Sequence, residues 1–183
     1  MSNFPLAQPG VGPAPPFLGT FSSPSGLFEA TRSYGLQTFG ASITWVANLA
    51  IYTPVEIPYW YPVRRVYWVN GSVVGSSTCF AIYSANGTRI YTTGSVVTAG
   101  ASAPQYVTPT EFWLPPGRYY FGVSNSGTTN TMWGSTAINF IGLRLGGLQQ
   151  EAAALPLPAL WTPAACANSL LPMCGVTWTL AGG

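Results

Sequence analysis

Cys79-Phe80-Ala81-Ile82-Tyr83-Ser84-Ala85-Asn86-Gly87-Thr88-Arg89-Ile90-Tyr91-Thr92 decides the fold class. Aromatic and β-branched residues recur on both sides of Asn86-Gly87, as a pleated, partly buried surface favours. The dipeptide itself supplies the two positive-φ positions of a type I′ turn, whose twist matches the strands it joins. A hairpin is predicted. Because side chains alternate along a strand, Phe80 and Ile82 share one face, with Cys79, Ala81 and Tyr83 on the other. The same logic governs the run from Leu114 to Ser124. Pro115 and Pro116 end a strand by withdrawing donors, Gly117 makes the bend, and Tyr119, Phe121 and Val123 resume an inward alternation.

From residue 27 onward, short runs rich in Val, Ile, Thr, Tyr, Phe and Trp are separated by Gly, Pro, Asn and Ser, the punctuation of an all-β domain. Candidate strands cover residues 27–38, 42–52, 63–69, 78–84, 88–94, 105–113, 118–124, 137–144 and 176–180. Helical period is weak everywhere; the best case, 149–154, is stopped by Pro156. The expected fold is an antiparallel β-sandwich, jelly-roll-like, over residues 27–183. Residues 1–26 precede it as an extended arm, rich in Pro and Gly, uncharged and without periodicity. Phe4, Leu6, Phe17, Leu18 and Phe21 are out of place in a solvated linker. They are read as anchors laid along a neighbouring subunit, with the prolines lowering the entropy of ordering.

The chain has no histidine, lysine or aspartate; its ionisable inventory is four Glu, six Arg, three Cys and the tyrosines. General acid/base catalysis and hydrolytic metal sites draw on the missing types, and no histidine or lysine is present to activate a serine or threonine. Glu29, Glu56, Glu111 and Glu151 lie singly along the sequence. Glu56 and Glu111 are a pair that could meet across a sandwich as glycosidase carboxylates do, but no spacing in the sequence brings them together; isolated glutamates are usually solvated or paired with arginine, and Arg118 is a partner for one of them. No enzyme activity, metal or cofactor is expected.

Only 5% of residues are charged, against roughly 25% in average soluble domains, so a surface largely covered by neighbours is expected. A net charge of +2 from isolated arginines, with only Arg64 and Arg65 adjacent, provides no basic stripe for phosphates, and no nucleic-acid partner is expected. The uncharged stretches 33–55, 119–143 and 152–183 are broken by Gly, Thr, Asn or Pro, so no transmembrane helix is expected. Residues 1–26 carry no basic start, and prolines interrupt any apolar run, so no secretory signal is expected there. Cys79 reads as a small buried hydrophobe. Cys166 and Cys174 can in principle close a loop, but an odd cysteine count without a signal peptide favours reduced thiols.

Tyr59, Trp60, Tyr61, Trp113 and Trp133 are the candidates for an aromatic platform of the kind that binds sugars. Pro58 and Pro62 bracket the first three and favour a rigid loop. The alternative is that these rings plug the end of the sandwich or fill a subunit contact, where Tyr and Trp are enriched. Asn70-Gly71-Ser72 and Asn86-Gly87-Thr88 match glycosylation signals but read better as turns.

These residues also resemble a small β-sandwich domain found in virion proteins of tailed bacteriophages. The likeness spans roughly residues 60–180. It rests on the strand Val63-Arg64-Arg65-Val66-Tyr67-Trp68-Val69, the hairpin from Ala81 to Gly87, and the strand from Leu114 to Ser124. Leu155-Pro156, Trp161-Thr162-Pro163 and the closing Val176-Thr177-Trp178 extend it. In that group the domain occurs in tail, fibre and head-surface proteins and is similar to carbohydrate-binding sandwiches. The resemblance implies a virion component that forms a homo-oligomer, a trimer being one arrangement suited to heads and fibres, together with other virion proteins. The alternative it leaves open is a receptor-binding tail module with a host glycan as partner. The usual longer, acidic hairpin turn is replaced here by a tight turn without Asp, so no calcium site carries over.

Overall fold

The computed structural model describes residues 27–29, 41–136, 147–167 and 170–178. The arm with Phe4, Leu6, Phe17, Leu18 and Phe21, most of the candidate strand 27–38, all of 137–144 and the end of 176–180 lie outside the described residues. The described residues form sixteen strands and no helix. They are β1 (Leu27–Glu29), β2 (Ala41–Thr44), β3 (Ala50–Ile57), β4 (Tyr61–Val63), β5 (Arg65–Val69), β6 (Ser77–Ser84), β7 (Arg89–Thr92) and β8 (Val96–Val97). The second half holds β9 (Pro104–Val107), β10 (Phe112–Leu114), β11 (Gly117–Asn125), β12 (Thr131–Thr136), β13 (Gln149–Glu151), β14 (Ala164–Ala165), β15 (Leu170–Pro172) and β16 (Cys174–Thr177).

All the strand pairings among the described residues are antiparallel, and the fold is the expected β-sandwich. One layer is a seven-stranded sheet in the order β14-β13-β3-β11-β6-β7, with β8 also on β6. The other is built from β1-β16-β5-β9, β10-β4 and β15-β12-β2. Between them lies the main core. Ile51, Val55 and Ile57 of β3, Phe80 and Ile82 of β6, and Phe121 and Val123 of β11 meet Val66 and Trp68 of β5, Leu114, Met132 and Val176. Each set occupies alternate positions of its strand, which is why the two-residue period was legible.

The opposite face of the seven-stranded sheet is buried too. Ala50, Tyr52, Cys79, Ala81, Tyr83 and Tyr120 form a second core beneath Ala154, Leu157 and Trp161. A strap, residues 154–163, folds over this face. It is held to the hairpin by Arg89 N–H donating to the Ala159 carbonyl at 2.9 Å and Trp161 N–H to the Gly87 carbonyl at 3.2 Å. Tyr83 donates to the Pro158 carbonyl at 2.7 Å. Gly122 makes room beneath the strap: a Cβ there would sit 2.9 Å from the Tyr52 ring and 3.2 Å from that of Tyr83.

Several local expectations are corrected. The hairpin turn is not type I′: Ser84 carbonyl accepts from Gly87 N–H at 2.9 Å, and within the turn only Gly87 has positive φ, +86°. This is a three-residue loop in which the glycine forms a bulge, the next most common hairpin closure. The candidate strand 42–52 breaks into β2 and β3, since Trp45 donates its indole N–H to the Leu49 carbonyl at 2.9 Å and Asn48 turns left-handed at φ 57°. The candidate 105–113 divides into β9 and β10, which pair with different strands across the Pro109 break. The best helical case, 149–154, is instead strand β13, because the outer edge of β3 offers it a ladder from Gln149↔Tyr52 to Glu151↔Ala50. The polar strand β12 gave too weak an alternation to be recognised.

A charge-poor chain closes its sandwich with neutral hydrogen bonds. Asn125 donates to Thr78 Oγ1 at 2.7 Å and accepts from Ser76 Oγ at 2.7 Å. Buried Asn70 accepts from the Trp68 indole N–H at 3.0 Å and donates to the Ala99 carbonyl at 2.7 Å and to Gln105 Oε1 at 3.0 Å. Such full satisfaction is what burial of an amide requires.

Candidate functional site

The five aromatic candidates do not form one platform. Tyr61 starts β4, so the rigid loop expected from Pro58 to Pro62 is in part a strand. Register pairs Tyr61 with Leu114, Pro62 with Trp113 and Val63 with Phe112. Alternation then sends Tyr61, only 3% exposed, into the main core with Val63 and Leu114. Tyr59 packs partly buried against the same core. Trp133 lies on β12, paired with Ser42 in another sheet, and its buried indole N–H has no hydrogen-bond partner among the described residues.

Trp60 and Trp113 are what remains, 48% and 40% exposed. Trp113 stands on β10 opposite Pro62, on the side away from Tyr61, Val63 and Leu114, and Trp60 immediately precedes β4. The same alternation adds Arg64 and Glu111, joined by an ion pair at 2.5 Å with both side chains about two-fifths exposed, 43% and 40%. The result is an outward strip of two indoles, one proline and one ion pair on a pair of short strands whose inner side is locked in the core. Pro62 and Arg64 were not among the candidate residues, and Glu111 was weighed only as a carboxylate partner of Glu56; continuing the two-residue alternation on either side of the tryptophans would have placed all three here.

The carboxylates are dispersed. Glu56 pairs with Arg118 at 3.8 Å, as expected for one of them, and Glu111 with Arg64. Glu151 accepts from Tyr52 Oη at 2.7 Å and from Thr162 Oγ1 at 2.8 Å. Burial, reinforced by the hydrogen bond to Glu151, pushes the Tyr52 phenol far above its ordinary range. Burial likewise raises Tyr61 and Tyr83. Among the described residues no three His, Cys, Asp or Glu side chains gather into a metal-binding group. Cys79, Cys166 and Cys174 are all buried and unbridged. What the strip can do is bind: indole faces take apolar or CH-rich surfaces, and the Arg64–Glu111 pair offers donors and acceptors at its end.

Compared with known proteins, the chain matches no protein family and no curated protein. Fold and surface together define a charge-poor antiparallel β-sandwich protein carrying an outward aromatic strip.

Proposed function

We propose that this chain is a non-enzymatic structural protein of a tailed-phage particle, a capsid decoration, head-surface or tail component that docks on neighbouring copies and other virion proteins by apolar contact. The observation that carries this reading is the use made of the carboxylates. Glu56, Glu111 and Glu151 are each tied to a scaffold partner, while half-exposed Trp60, Trp113, Trp178, Tyr106 and Leu160 mark the surface. Such a surface associates by removing apolar area from water, at about 25 cal/mol per Å², and association of that kind is weakly dependent on salt. The sequence resemblance supplies the virion setting. Sedimentation velocity of the purified chain at low salt and at about 1 M NaCl tests the reading. Association persisting at both supports it, and a monodisperse monomer up to about 1 mM overturns it.

The second reading is recognition of a host glycan. It is favoured by two indoles and an arginine–glutamate pair sharing one outward side. Saturable quenching of tryptophan fluorescence by a glycan, abolished in Trp60→Ala, is the outcome that favours it over docking.

A further inference from the structure

Asn-Gly occurs twice in the chain, at 70–71 and at 86–87. We propose that Asn86 is a site of spontaneous deamidation in the folded protein, while the fold protects Asn70. The inference is independent of the assembly and glycan readings above.

Asparagine is among the chemically labile residues, and the reaction needs only water and hydroxide. The Gly87 backbone nitrogen, deprotonated by hydroxide, attacks Asn86 Cγ. A C–N bond forms, the Cγ–Nδ2 bond breaks, and the amide nitrogen takes a proton from water and leaves as ammonia. Water then adds to one of the two carbonyls of the resulting five-membered imide. Opening at the side-chain carbonyl gives aspartate, and opening at the main-chain carbonyl gives isoaspartate.

Both glycine N–H groups are engaged in the fold, Gly87 with the Ser84 carbonyl at 2.9 Å and Gly71 with the Thr131 carbonyl at 2.8 Å. The two sites therefore differ in the amide. At Asn86 negative charge develops on Oδ1 during attack, and the turn already aims two donors at that atom, the Ser84 hydroxyl at 2.5 Å and the Thr88 backbone N–H at 3.1 Å. Donors fixed in advance stabilise a developing oxyanion. Asn86 is exposed, so hydroxide and water reach it.

At Asn70 the leaving group is what the fold holds. Its Nδ2 donates to the Ala99 carbonyl at 2.7 Å, to the Gly100 carbonyl at 3.3 Å and to Gln105 Oε1 at 3.0 Å. The residue is 1% exposed, which keeps hydroxide away. Gly71 is also walled in: a Cβ there would lie 2.3 Å from both Ser42 Oγ and Thr131 Oγ1, so its backbone has no room to turn toward Cγ.

The product acts on the strap. Isoaspartate adds one methylene to the main chain at the tip, where the Gly87 carbonyl accepts from Trp161 N–H at 3.2 Å and the Trp161 indole fills the space over Gly87. The strap consequently loosens from the hairpin. Either product also lowers the net charge of +2 by one unit, which makes the aged chain separable by ion exchange.

Peptide mapping by mass spectrometry tests this on the full-length chain kept at mildly alkaline pH, folded and, in parallel, in strong urea. In the folded chain Asn86 is expected to convert at least ~10-fold faster than Asn70, and in urea the two rates converge. Ser84→Ala, with its thermal unfolding checked against the parent, should slow conversion at Asn86 by at least ~3-fold and leave Asn70 unchanged. The fraction carrying isoaspartate at position 86 should unfold at a lower temperature than fresh protein. Equally slow conversion at both sites in the folded chain overturns the proposal. Faster conversion in Ser84→Ala makes the hydroxyl a lock and overturns its role toward Oδ1, and unchanged unfolding of the isoaspartate fraction overturns the link to the strap.

Discussion

The indole of Trp161 occupies the space where a side chain at Gly87 would project: a Cβ at that position would lie 1.6 Å from the indole Nε1. The hairpin tip and the strap are therefore one packed unit. Gly87 meets two demands at once, since its φ of +86° is also strained for any residue with a side chain. Gly87→Ala is expected to lose about 3 kcal/mol, from the left-handed backbone and from overpacking against the indole together. Urea unfolding measures it; a loss under about 0.5 kcal/mol would mean that the strap does not lie on the hairpin.

Alkaline pH should destabilise the fold through its buried phenols. Burial raises Tyr52, Tyr61 and Tyr83 well above the ordinary phenol value of 10.0. In the unfolded chain these groups lose their protons near 10 while the folded chain still holds them. The folded state thus binds more protons above that pH, and stability falls as pH rises. Below it the contribution is fully present, and with no histidine in the chain no imbalance of imidazole protons bends the curve near neutrality. Chemical denaturation from neutral to strongly alkaline pH should show a decline beginning near 10, shallower in Tyr52→Phe. An equally steep decline in that variant would sink the assignment.

Asn70 is 1% exposed and links the Trp68 indole to the segment carrying Ala99 and Gln105. Asn70→Ala leaves the buried Trp68 indole N–H without its partner and removes the amide's bonds to the Ala99 carbonyl and Gln105, and about 1–3 kcal/mol of stability should go with them. Thermal unfolding is the measurement, and a change within about 0.5 kcal/mol would contradict the network.

Two surface ion pairs among the described residues should matter little. Arg64–Glu111 and Arg118–Glu56 are both substantially exposed, so Glu111→Gln and Glu56→Gln should each shift stability by less than about 1 kcal/mol, and added salt should shift it by a similarly small amount. A larger loss for Glu111→Gln would show that the β4–β10 pair depends on the ion pair and not on the core beneath it.

The aromatic candidates show where local inference stopped. Their side-chain directions follow from alternation once a register is known, but Pro58 and Pro62 argued against a strand, and the pairing of Tyr61 with Leu114 is a long-range event. That pairing alone decides that Tyr61 is core and Trp60 is surface. Trp133 separates from the others because β12 pairs with β2 and β15, partners its own polar sequence does not announce.

From the sequence alone came the all-β class, the hairpin at Asn86-Gly87, the division of Phe80 and Ile82 from Cys79, Ala81 and Tyr83, and the expectation that Arg118 would engage a glutamate. Those are local matters, governed by the two-residue period of a strand and by the φ angles that turn residues accept. Tertiary structure decided that both faces of the large sheet are covered, that Gln149–Glu151 is a strand, and that two of five aromatic candidates share an outward strip. A strand fixes which way its side chains point. What lies over them is fixed by a distant segment, as when Trp161 closes over Tyr52 with ring centroids 4.9 Å apart.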